Sequence, residues 1–277
     1  MINNTDGSFE YETNLYKKNE KFTYNQYHEE CDKFIRENSS SEVSHDSDEY
    51  LAMLNTNPCF LYAPDIKFSI FERMYNNDPT QSSWNLSNFK SHLSRIKNED
   101  NKTVEGIHTP FVYCGSKWSS FPIHLEDYTL ISINYHFYGL PKIWLIRNNK
   151  DSTRFHQLIN TILNKTFPGR SCKNLIGMFV ITHPYSFHGG YNLGPNINEA
   201  VNYATTQTIK YFANAIVCSC EGIVKLNGSK IIKEFYPSFK DELKGIPDDP
   251  KIIIKKKRRR NSKKEIYRIA KYLFPTF

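Results

Sequence analysis

Phe121-Pro122-Ile123-His124-Leu125-Glu126-Asp127-Tyr128 is the stretch on which the fold turns. His124 and Glu126 stand two apart. On a helix their side chains would diverge by roughly 200° and share nothing. On a strand, residues i and i+2 lie on one face, so both could reach one point. An imidazole and a carboxylate, joined by a third ligand from another strand, form the facial arrangement of non-haem iron(II) oxygenases, which leaves positions open for a co-substrate and oxygen. A chance pair on a surface strand has the same spacing. The third ligand is expected at His188, in Pro184-Tyr185-Ser186-Phe187-His188-Gly189-Gly190, where two glycines permit close backbone approach. His183 is the competitor.

Working outward, strands are expected over Thr109–Cys114, His124–Tyr135, Lys142–Arg147 and Gly177–Thr182, all rich in β-branched and aromatic residues. Continuous parity would point His124, Glu126, Tyr128, Leu130, Ser132 and Asn134 inward together. After the turn Tyr138-Gly139-Leu140-Pro141 the chain should run back antiparallel. Lys142, Trp144 and Ile146 then share a face. If that face is inward, it carries a lone lysine into a mostly apolar interior, which demands an anionic partner. If it is outward, Lys142 is solvated and Trp144 packs at an edge. Helices are expected near Tyr24–Ile35, Trp84–Ile96, Ser152–Asn164 and Lys264–Leu273, from apolar residues at helical spacing. A β-rich core with peripheral helices results. The serine- and acid-rich stretch Asn38–Asp48 reads as a surface loop.

The 277 residues are enough to bury a core, and 39% hydrophobic, 23% charged and 14% aromatic side chains are globular composition. The net charge of +7 is concentrated: Lys255 to Lys264 (KKKRRRNSKK) carries eight basic side chains, and the other 267 residues sum to −1. A protein that coats nucleic acid would spread its basic residues over a surface, so that class is disfavoured. No apolar run reaches the ~18 residues of a membrane span, and MINNTDGSFEYE has no signal-peptide pattern. Six cysteines without a secretory signal point to reduced thiols or a metal site in a soluble intracellular protein.

The run VEGIHTPFVYCGSKWSSFPIHLEDYTLISINYHFYGLPKIWL, residues 104–145, resembles the Jumonji-C (JmjC) domain. So do FVITHPYSFHGGYNLGPNINEAVNYAT (179–205), PGRSC (168–172) and AIVCSC (215–220). Together the likeness covers residues 22–239 and is closest to the branch that demethylates trimethylated lysine nine or thirty-six of histone three. It implies a double-stranded β-helix, a cupin-like jelly roll with flanking helices, over 56–220. An extension over 1–55 would precede it, and a C-terminal helical segment with the basic patch would follow over 221–277. It implies iron(II) held by His124, Glu126 and His188. The 2-oxoglutarate contacts fall on Tyr62, Asn134 and Lys142, with Phe121, Ser132 and Trp144 lining that pocket. The methyl-lysine pocket falls on Gly106, Tyr113, Ala200 and Asn202. The implied reaction hydroxylates an N-methyl group and releases formaldehyde. The implied partners are a methylated histone tail and the nucleosome, with no membrane. The implied location is the nucleus, with 255–264 serving import first and DNA contact second.

The chain departs from the family between Cys172 and His188, where relatives carry a longer segment. Cys172, Cys218 and Cys220 match three zinc ligands, but the histidine that completes the site has no counterpart; structural zinc takes four ligands. Two buried free thiols at 218 and 220 are the alternative. The shortening also threatens one strand of the barrel. The beginning of the chain does not resemble the family's separate N-terminal module, and the whole is expected to be close to a bare catalytic core. Three functions compete: a lysine demethylase, an oxygenase acting on another protein side chain, and a non-enzymatic chromatin scaffold.

Overall fold

The computed structural model describes residues 2–3, 9–10, 23–38, 61–75, 84–98, 101–147, 170–213, 215–218, 226, 232–233, 236–239 and 251–253. A ribbon of β1 (Ile2–Asn3) and β2 (Phe9–Glu10) precedes helix α1 (Tyr24–Asn38). The helix matches the expected one, and Tyr27 and Cys31 are buried on its apolar stripe. Two antiparallel sheets then form a jelly-roll sandwich. The five-stranded sheet has the order β3 (Ala63–Ile66), β4 (Phe111–Gly115), β11 (Asn196–Tyr203), β6 (Ile131–Gly139), β9 (Phe179–Thr182). The four-stranded sheet has the order β5 (Ser120–His124), β10 (His188–Asn192), β7 (Lys142–Ile146), β8 (Arg170–Asn174). A short parallel pair, β12 (Ile216–Cys218) with β13 (Lys251–Ile253), lies outside both. Among the described residues no helix is long and apolar enough to cross a membrane.

Both β8 and β9 are present, so the short Cys172–Phe179 stretch does not cost the barrel a strand. The turn 175–178 crosses from one sheet to the other. It is held by Gly177 N–H to the His136 carbonyl at 2.9 Å and His136 N–H to the Met178 carbonyl at 3.1 Å. Gly177 takes φ +80 in that turn, a value that favours glycine.

Two expectations are corrected. Residues 84–96 are not a helix but two 3-10 turns, Leu86–Asn88 and His92–Arg95. The Asn85 and Ser91 side chains each accept from a backbone N–H two residues on, at 2.9 and 3.2 Å, and such local bonds compete with a continuous helix. The turn after β6 is not a hairpin: β6 and β7 lie in different sheets. Gly139, at φ +96, turns that corner, where a Cβ would come within 2.1 Å of the Pro195 carbonyl oxygen. The expected helices at 152–164 and 264–273, and the basic patch at 255–264, lie outside the described residues.

The interior also differs from expectation. Ile131 and Ile133 on β6 and Val201 on β11 turn outward, beneath Phe71 of the short helix Ile70–Met74 and Leu86. Alternation then sends Ser132, Asn134 and His136, with Asn198, Ala200 and Asn202, toward the space between the sheets. The inward face of β6 and β11 is largely polar, and one apolar cluster lies on their outer face. Fully buried Glu199 ties the short helix to β11. It accepts from Ser69 Oγ at 2.7 Å and from Ile70 N at 2.7 Å and Phe71 N at 3.3 Å. Glu199→Ala strips three donors of their acceptor. It should cost about 2–4 kcal/mol, read as a lower urea midpoint at unchanged slope.

Candidate metal centre

One cavity of about 590 Å³, mouth included, opens between the sheets. His124 ends β5 and His188 begins β10, and the two residues face each other directly across the ladder. The strand expected to run through Glu126 ends at His124. Glu126 remains extended, at φ −58 and ψ 149, and caps a 3-10 turn, Asp127–Thr129, in which Tyr128 adopts φ 55. The i, i+2 relation of His124 and Glu126 therefore holds without the strand. The turn breaks the parity beyond them: Tyr128 and Leu130 join the apolar cluster around Phe212 instead of the cavity.

The ligand atoms of His124, Glu126 and His188 lie within 4.8 Å of one another. His124 Nε2 stands 3.8 Å and His188 Nε2 2.9 Å from Glu126 Oε1. Asn202 Nδ2 donates to Glu126 Oε2 at 3.0 Å. Burial pushes the Glu126 carboxyl upward, but the His188 hydrogen bond, the two imidazoles and the Asn202 amide outweigh it and hold it down to about 2. The His188 Nδ1 atom lies 2.9 Å from the Ser186 carbonyl, which fixes that nitrogen as the donor. Its Nε2 faces Glu126 Oε1 at 2.9 Å, so the imidazole and the carboxylate present their ligand atoms to one point. A backbone carbonyl orienting the far nitrogen is the usual support of a metal-binding histidine. The donor set fits a divalent metal. His183, the competitor, is exposed and does not line the cavity.

At the other end, Lys142 is only 3% exposed, which decides between its inward and outward alternatives. Burial lowers its ammonium from 10.5 to about 7. The rings of Phe121 and Tyr62 stand 4.5 and 5.7 Å from Nζ, and Trp144 packs edge-on against Phe121 at 4.8 Å. Ser132 and Asn134 complete this end. Trp144 Nε1 is buried without a partner among the described residues. A buried ammonium and a spare donor in one pocket fit an acidic co-substrate.

Gly106, Tyr113, Ala200 and Asn202 line the cavity on the Glu126 side. Gly106 takes φ +79, and a Cβ there would meet the Phe111 ring at 2.7 Å. Burial and nearby Asp65 push the Tyr113 hydroxyl up, so it stays a neutral donor. Gly190 keeps the cavity open: a Cβ would lie 1.9 Å from the Ile143 carbonyl oxygen and 2.8 Å from the Phe121 ring.

Every site residue named from the motifs for iron, co-substrate and methyl-lysine thus lines this cavity. Sequence reasoning missed Asn174, whose Nδ2 donates to Asn134 Oδ1 at 3.3 Å, and Asn192 beside Lys142. Asn192 carried a signal: it stands four residues from His188 on one strand, hence on the same face. The zinc expectation falls mostly outside the described residues. Cys172 is exposed on β8, opposite Trp144 in the ladder. Cys220 and the side chain of Cys218 lie beyond what is described.

Comparison with known proteins agrees with this geometry. The JmjC domain, hydroxylase family matches residues 111–178, from β4 to the edge of β9. His188 lies past that match and is brought to the site by the β5–β10 pairing. The chain is 30% identical over 188 residues to probable lysine-specific demethylase 4F of Homo sapiens, covering 58% of this chain and 28% of that protein. It is 29% identical over 209 residues to lysine-specific demethylase 4B of Mus musculus, covering 66% and 19%. It is 29% identical over 165 residues to putative lysine-specific demethylase JMJ16 of Arabidopsis thaliana, covering 51% and 14%. The chain spans less than a third of the length of these relatives. Strand order, donor set and sequence match agree: residues 111–178 match the JmjC domain family, and the sequence around them is similar to lysine-specific demethylases.

Proposed function

We propose that this chain is an iron(II)- and 2-oxoglutarate-dependent oxygenase that removes methyl groups from lysines of a histone tail. The observation that carries the reading is one cavity with two unlike ends, an open His/Glu/His set and a buried, acid-free lysine. Iron(II) would be held by His124, Glu126 and His188. Lys142 and Tyr62 would receive the distal carboxylate of 2-oxoglutarate, and Asn134 its other end. The bound metal and co-substrate supply the oxidising chemistry that hydroxylates an N-methyl carbon, after which formaldehyde leaves. The chain's own residues supply position. Phe121 and Trp144 wall the co-substrate from water, and the Ser186 carbonyl and Asn202 amide hold His188 and Glu126 in place. Gly106, Tyr113, Ala200 and Asn202 would receive the methylated ammonium, with oxygens and a ring face suited to a bulky cation.

This reading divides the chain into an extension over 1–55, the catalytic jelly roll over 56–220 and a tail over 221–277. It puts the work on chromatin in the nucleus, with 255–264 as the import signal and a salt-dependent DNA contact. Complete strands in both sheets remove the motive for the scaffold alternative. The test is peptide turnover with iron(II) and 2-oxoglutarate. Formaldehyde should appear in step with methyl loss from trimethyl-lysine peptides. Formaldehyde no higher than in a metal-free control would sink the reading.

A further inference from the structure

We propose that Asn192 is a positioning residue for Lys142: its amide oxygen holds the ammonium from behind while leaving the charge uncompensated for an acidic co-substrate. The inference rests on the co-substrate end proposed above and adds a residue to it. Asn192 and Lys142 are direct partners across the β10–β7 ladder, and Lys142 Nζ donates to Asn192 Oδ1 at 3.4 Å. The amide cannot turn over. Its Nδ2 donates to the Ser119 carbonyl at 2.8 Å and to Ser119 Oγ at 2.9 Å. A flipped amide would press Oδ1 against that carbonyl, acceptor on acceptor. Asn196 Nδ2 donates to the same Oδ1 at 2.9 Å, and Asn198 Nδ2 donates to Asn196 Oδ1 at 2.8 Å.

The backbone is pinned as well. Asn192 N–H donates to the Ser119 carbonyl at 3.0 Å, and its carbonyl accepts from Trp118 N at 2.7 Å. Gly115 makes the room, since a Cβ there would fall 2.5 Å from Asn192 Cγ. The residue type matters as much as the place. Glu126 is the one acid of the cavity lining, and it is committed to His188 and Asn202. An aspartate at 192 would pair with Lys142 permanently and cancel the field meant for a ligand. An apolar residue would strip Lys142 of its amide oxygen and remove one donor from Ser119 and one acceptor from Asn196 Nδ2.

The experiment is calorimetric titration, under anaerobic conditions, of the iron(II)-loaded chain with 2-oxoglutarate and with pyruvate, which lacks the distal carboxylate. Asn192→Asp should weaken 2-oxoglutarate binding about 30-fold and leave pyruvate binding within a factor of three. Its 2-oxoglutarate affinity should also lose the wild-type decline above pH 7, because a fixed carboxylate keeps Lys142 charged. Ser119→Ala, a milder release of the amide, should give a several-fold loss on the same ligand and guards against a misfolded Asn192→Asp. Wild-type affinity for 2-oxoglutarate in both variants overturns the positioning role, as does an equal loss for both ligands. A wild-type chain that binds neither ligand overturns the co-substrate reading itself.

Discussion

Lys142→Met should give a protein that is more stable than wild type and binds 2-oxoglutarate at least 100-fold more weakly. The stability gain follows from burial. Lys142 is buried with one amide oxygen and two ring faces around its ammonium and no acid in the cavity to pair with it. Its proton affinity falls from 10.5 to about 7 because the folded state disfavours the charge. By linkage the folded chain gives up several kcal/mol, on the order of 3–5, at pH 7 and below. Methionine fills the same stem without the charge.

The sign can be tested directly. The folded chain releases this proton near pH 7, whereas the unfolded chain holds it to 10.5. Wild-type stability should therefore be flat in this contribution below pH 7 and climb by about 1.4 kcal/mol per unit toward pH 10. Lys142→Met should lack that climb in urea unfolding at pH 6, 7, 8 and 9. Two other titratable groups face the ammonium. His136 has its proton affinity lowered by burial and in part by Lys142, and the Tyr62 hydroxyl is pushed up by burial, so neither shift runs against the climb expected between pH 7 and 9. Binding reverses the bias. An acidic ligand needs the charged lysine, so 2-oxoglutarate affinity in wild type should drop about tenfold per unit above pH 7, with proton uptake visible in buffers of different ionisation enthalpy. A less stable Lys142→Met, or unweakened ligand binding, contradicts the argument.

The strands and the metal pair were readable because their signals are local. Alternating Ile131, Ser132, Ile133 and Asn134 announces a strand with two unlike faces, and the two-residue spacing of His124 and Glu126 needs only extended backbone. What was not readable is set by contacts far apart in sequence. Nothing near Gly139 says that β6 and β7 belong to different sheets; the Pro195 carbonyl, more than fifty positions away, closes that corner. Periodicity over Trp84–Ile96 suited a helix, yet the Asn85 and Ser91 side chains took the backbone donors first. Parity points Ser132 and Asn134 inward, but nothing local says that Ile131 and Ile133 find an apolar partner on the outer side. Here the short helix Ile70–Met74 covers the outside of β6 and draws the isoleucines outward. Asn192 became legible only once the ladder set it opposite Lys142.

The same contrast of local and distant signals sharpens the last expected result, at the metal. Glu126→Gln and His188→Ala should each reduce bound iron after dialysis from near one equivalent to below about a tenth. Each should lower formaldehyde release at least 1,000-fold, while His183→Ala changes neither. Glu126 brings the one negative charge of the donor set. The position selects for that charge, since the His188 and His124 imidazoles and the Asn202 amide together outweigh the cost of burying it. Glutamine keeps the shape and the contact with position 202 but offers a metal only a neutral oxygen. His188→Ala removes the nitrogen that the Ser186 carbonyl aims at the site. The fold should survive both changes, because the sheets are held by ladders and by the outer apolar clusters, which the triad does not join. His183 is the internal control, since it is exposed and away from the cavity. Iron retained at one equivalent with unchanged turnover in either triad variant would remove the triad as the metal centre. Loss of turnover in His183→Ala alone would move the third ligand there.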